Sequence, residues 1–94
     1  MTTFRGMAEG VQEMVWCTAE QLDGLGDATE EERDSILDEL AELFVGKAAE
    51  LGYNLDPEAA TIAGLDEDET EAALERIEQE FDKAVWEMVD DEQD

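Results

Sequence analysis

The stretch DEDETEAALERIEQEFDKAVWEMV, residues 66–89, decides the fold. At 3.6 residues per turn, Thr70, Ala73, Leu74, Ile77, Phe81, Ala84, Val85 and Met88 fall on one stripe. Such a stripe marks a helix with one face turned to a core. Beside it Asp68, Glu71, Glu75, Glu78 and Asp82 form a continuous acidic ridge. Trp86 projects almost opposite the stripe, where a core does not reach. The stripe predicts a helical bundle, and the ridge and the tryptophan raise the question of a partner.

Asp66 with Glu69 reads as an N-cap followed by an acid three residues on. Asp56-Pro57 has the form of an N-cap with proline at the first helical position, so a short helix is expected from Pro57 to Ala63, stopped by Gly64. Thr29 to Glu32 repeats the capping box and opens a helix whose apolar set is Ile36, Leu37, Leu40, Leu43, Phe44, Ala48 and Leu51. Gly52 is placed to end it in a left-handed cap. Phe4, Met7, Ala8, Val11, Met14, Val15, Thr18 and Leu22 predict a first helix over Thr3–Leu22, with Glu9, Glu13, Trp16 and Glu20 on its outer side. Asp23, Gly24, Gly26 and Asp27 break it. The expectation is an all-α, small four-helix bundle-like domain of three long helices and one short. It spans residues 1–94 as a single acidic helical unit, with 90–94 a frayed tail because acids oppose the negative helix end. Residues 29–44 and 66–81 also align at a constant offset, pairing Leu37 with Leu74, Leu40 with Ile77 and Phe44 with Phe81. Any two capped amphipathic helices share such a pattern.

Charge is the anomaly of the composition. Against 29 Asp and Glu stand 5 Lys and Arg, a net charge of −24, while 43% hydrophobic residues suffice for a core. A protein must supply cations to displace phosphate counterions, so direct nucleic-acid binding is not expected, and anionic lipid is repelled for the same reason. The partner this charge calls for is basic. Cys17 stands alone, which rules out an internal disulfide and points to a reducing, cytoplasmic setting. The N-terminal residues carry no apolar signal region, and no run approaches the ~18–20 apolar residues of a membrane span.

Catalysis is not expected either. The chain has no histidine, and Cys17, Ser35 and Tyr53 have no base beside them beyond generic carboxylates. Asp66 to Glu71 resembles the start of a calcium loop, but Glu71 stands where that loop needs glycine and Ile77 where it needs glutamate. Structural zinc needs Cys and His that are absent. No metal and no cofactor are expected.

Asp34-Ser35-Ile36 near a helix start, Gly52 at its end, a Pro57-led short helix and a final helix together resemble the acyl carrier proteins. That resemblance spans about Asp34 to Ile77 and implies an acidic four-helix domain carrying phosphopantetheine on Ser35. It departs from the family at Ile36, where leucine is usual, and in the apparently helical Thr29–Arg33 that precedes the motif. A buried-edge or solvent-facing serine in a helix's second turn is the preferred reading of Ser35.

Acids spaced three and four apart on a helix rise ~4.5–6 Å along one line, against ~3.4 Å per phosphate along a nucleic-acid strand. Carboxylates of neighbouring helices therefore approximate the sign and density of a phosphate backbone. Three such lines occur: Glu9/Glu13/Glu20, Glu31/Asp34/Asp38/Glu42 and Asp68/Glu71/Glu75/Glu78/Asp82. In charge and size, though in no motif, the chain resembles small phage-borne DNA mimics and anti-CRISPR proteins. The function expected is a non-catalytic inhibitor or interaction protein. It would block a basic surface of a nucleic-acid-binding protein, with the Glu9 and Asp68 lines and Trp16 and Trp86 at the contact. The alternative is a salt-adapted helical adaptor or homodimer, in which brine screens the same charge.

Overall fold

The computed structural model describes residues 3–21 and 27–92, with side chains through Glu87. Its elements run α1 (Glu9–Glu20), α2 (Glu30–Glu50), β1 (Leu55–Asp56), β2 (Thr61–Ile62) and α3 (Glu67–Glu92). This is a small, mostly helical domain of three helices with a minor two-stranded antiparallel sheet.

The caps written into the sequence are made. The Glu32 amide donates to Thr29 Oγ1 at 3.2 Å, and the Glu69 amide donates to Asp66 Oδ1 at 2.8 Å. Each satisfies one of the donors a helix start leaves open. At the far end of α2, Gly52 takes φ +88°, the Tyr53 amide reaches Ala48 O and the Gly52 amide reaches Ala49 O. That crossed pair is the Schellman arrangement, and it needs the left-handed residue glycine supplies.

The stripe of α3 is the wall of the core. Thr70, Ala73, Leu74, Ile77, Phe81 and Val85 are buried, while Ala84 is half-buried. From α2 come Leu37, Leu40, Ala41, Phe44 and Ala48; from α1 come Val11, Val15, Thr18 and Ala19. At the centre Phe44 and Phe81, both fully buried, meet edge to face with ring centroids 5.4 Å apart. Such a pair adds about 0.5–1.5 kcal/mol beyond the area it buries.

The structure corrects the expected short helix. Pro57–Ala63 belongs to a hairpin, with Leu55 opposite Ile62 and Asp56 opposite Thr61. The carboxylate of Asp56 accepts from the Glu58 amide at 3.1 Å, two residues on, and so closes a turn instead of capping a helix. Ala60 then adopts φ +54°, which no helix permits, and Ile62 is buried against the core. Gly64, φ +86°, serves the turn that the Leu65 amide closes on Ile62 O. The fold is therefore not all-α, and the four-helix count does not stand.

The first helix also begins later than Thr3. Ala8 is extended (ψ 150°), and its amide donates to Pro57 O at 2.7 Å. Ahead of it the chain turns over Phe4–Met7, whose carbonyls Gln12 Nε2 reaches at Met7 O (2.9 Å) and Arg5 O (3.3 Å). The tertiary bond to Pro57 thus sets the start of α1 at Glu9. At the other end of the chain, the helical backbone of α3 runs past Val89 to Glu92. The first helix ends at Glu20 with Gln21 as its cap, short of the expected Leu22. The expected break at Asp23, Gly24 and Gly26, the side chain of Met88 and the final residues 93–94 lie outside the described residues.

Candidate functional site

The acids expected at a contact divide into free and engaged groups. On α3, Asp68, Glu71 and Glu75 are exposed, while Glu78 and Asp82 are half-buried. Asp82 Oδ1 accepts a hydrogen bond from the buried Thr18 hydroxyl at 3.1 Å, fastening this end of the ridge to α1. Glu78 beside it is pushed above the ordinary carboxylate range, first by burial and then by the like charges of Asp82 and Glu75. The ridge is thus open over its first half and structural at its far end.

On α1, Glu9, Glu13 and Glu20 are exposed. Glu20 Oε1 accepts from the indole Nε1 of Trp16 at 2.8 Å, an i, i+4 bond along one helix face. Trp16 itself is half-buried and packs against the core. Its expected place on the outer side is corrected: an indole is large enough to lean back from the flank of the helix onto the hydrophobic cluster. Trp86 is different. It is 40% exposed, the one exposed large apolar side chain among the described residues.

Half of the α2 line is taken up within the molecule. Asp34 Oδ2 binds Arg5 at 2.8 Å, and Asp38 Oδ1 accepts the Phe4 amide at 3.0 Å. Glu31 and Glu42 stay exposed. Sequence periodicity missed this latch, because its partners are 29 and 34 residues away. Lys47 pairs with Glu50 at 2.8 Å, and that bond raises its pKa.

Two open depressions flank these faces. One, ≈ 240 Å³, lies between the N-terminal turn and α2; the other, ≈ 520 Å³, lies between the hairpin and the start of α3. The larger depends on the hairpin, so reading 57–63 as a helix hid it. Among the described residues no three side chains able to ligate a metal ion come together. Cys17 is exposed and Tyr53 half-buried. Ser35 is exposed on the second turn of α2, and its neighbour Asp34 is held by Arg5. The Pro57-led helix that the likeness to acyl carrier proteins required is the hairpin.

The chain folds as a small helical domain with a hairpin insert and an acidic exterior. The chain matches no family model, no curated protein and no solved structure.

Proposed function

We propose that this chain is a non-catalytic interaction protein whose carboxylates imitate nucleic-acid charge and occupy a basic surface of a nucleic-acid-binding protein. The observation that carries the reading is the open half of the α3 ridge. Asp68, Glu71 and Glu75 are exposed at helical spacing, and none is tied to a cation among the described residues. Glu9 and Glu13 add exposed acids on α1, the helix fastened to the ridge through Thr18 and Asp82. Long-range attraction from such a face speeds encounter, and an exposed aromatic such as Trp86 then slows departure.

The test is capture from native lysate with the whole chain as bait. The protein recovered should be basic and lose its nucleic acid when bound. It should also release as salt rises from ~0.1 M to ~1 M, where the screening length falls from ~10 Å to ~3 Å. Replacing Asp68→Lys, Glu71→Lys and Glu75→Lys together should abolish capture, and undiminished capture would remove these residues from the site.

A second reading is a salt-adapted adaptor or homodimer. What favours it is the crowding of Glu75, Glu78 and Asp82, whose mutual repulsion salt would relieve. Circular dichroism separates the two. A chain built for brine loses its helical signal at low ionic strength, whereas a mimic acting in ordinary cytoplasm keeps it.

A further inference from the structure

The ≈ 520 Å³ depression between the hairpin and α3 has an apolar floor made by Leu74, which is buried, and by the half-buried Ala60 and Leu65. Its rim carries Asp66, Glu67 and Glu71, and among the described residues no Lys or Arg lines it. We infer that this depression seats a lysine or arginine side chain presented by a basic protein segment. The inference deepens the proposed function and rests on it for the partner's being a basic protein.

Three observations select that occupant. A helix start ordinarily invites an anion, but here Asp66 Oδ1 already takes the Glu69 amide, and the rim carboxylates repel a second negative group. A bare cation would use the rim and ignore the floor, whereas Lys and Arg lay methylene stems on apolar surface and keep their heads at its edge. Finally, Thr70 lines the depression at 8% exposure, and its hydroxyl bonds to no described residue. Among the described residues no polar side-chain atom is both sealed from solvent and unpartnered. The Thr70 hydroxyl is therefore not sealed, and from the wall of the depression it can offer a lone pair to an entering N–H. An apolar occupant would strip water from that hydroxyl and the rim carboxylates with nothing in return. A guanidinium, with donors in a fixed fork, serves both at once.

The experiment titrates the isotopically labelled whole chain with a capped peptide carrying one arginine. The same peptide with citrulline, the neutral isostere, is the control, and backbone amide shifts are followed by NMR. The arginine peptide should shift amides between residues 59 and 74, and the citrulline peptide should not. Thr70→Val, which keeps shape and removes the hydroxyl, should weaken binding about two- to tenfold. Glu67→Gln with Glu71→Gln, both exposed and checked for fold by circular dichroism, should weaken it about tenfold or more. Glu9→Gln with Glu13→Gln on α1 should change it less than about twofold. Shifts spread evenly over α1 and α3, equal for all variants, would overturn the depression as a seat and leave the general charge reading standing. Shifts confined to the depression, with no basic protein ever captured from lysate, would support the seat and sink the mimicry.

Discussion

Helices α2 and α3 start alike: Thr29 and Asp66 each accept an amide three residues on, and Glu30 and Glu67 open the helical turns. They also present matching residues to the core, Leu37 with Leu74, Leu40 with Ile77, and Phe44 stacked edge-on to Phe81. Their acids have different fates. Asp34 and Asp38 hold the N-terminal turn through Arg5 and the Phe4 amide, whereas Asp68, Glu71 and Glu75 are exposed and make no side-chain hydrogen bond or ion pair among the described residues. An acid's place on a helix face therefore does not tell its role. The segment that crosses it does.

The largest effects should come where the two helices are equivalent. Phe44→Ala and Phe81→Ala should each cost about 3–5 kcal/mol in urea unfolding, a large fraction of the stability of a domain this size. A markedly unequal pair of values would break the equivalence of the two halves of the core. Next comes the contrast between the lines of acid. Asp38→Ala should cost about 1 kcal/mol and speed hydrogen exchange at the Phe4 amide, while Glu75→Gln should stay within about 0.5 kcal/mol.

Glu78 sharpens the same contrast through pH. Its folded pKa lies above the ordinary value of 4.5, so the folded state holds the proton longer than the unfolded chain. Stability from this group is fullest below that value and falls as pH rises through the raised one. Glu78→Gln should therefore unfold at higher urea than the parent at neutral pH, with the gap closing as the medium is acidified. Melting midpoints across that range check it. The smallest effect should be Arg5→Ala, below about 0.5 kcal/mol, because the side chains of its ion pair are 75% and 43% exposed. A larger loss would mean that the latch depends on charge more than on the Phe4 amide.

What could be read from the sequence was local. The stripe of α3 from Thr70 to Val85, the caps at Thr29 and Asp66 and the left-handed Gly52 rest on spacing or on a residue's own conformational freedom, and each is found as read. What escaped depends on distant partners. Asp56-Pro57-Glu58 suits a helix start and a hairpin turn equally, and burial of Ile62 together with the Ala8–Pro57 bond decides for the turn. Trp16 escaped for a related reason, since helical angle locates a Cα and says little about where a large ring leans. The exposed acids and Trp86 lie where periodicity put them, while Asp34, Asp38, Glu78 and Asp82 turned out to be bound up or half covered.

The unlike settings of the indoles give the molecule a built-in optical gauge. Trp16, half covered and bonded to Glu20, should emit at shorter wavelength and resist acrylamide, while Trp86 should emit at longer wavelength and be quenched first. Anything that settles on the Trp86 face can therefore be followed by light from the unlabelled chain, and loosening of α1 can be told apart from it in the same spectrum.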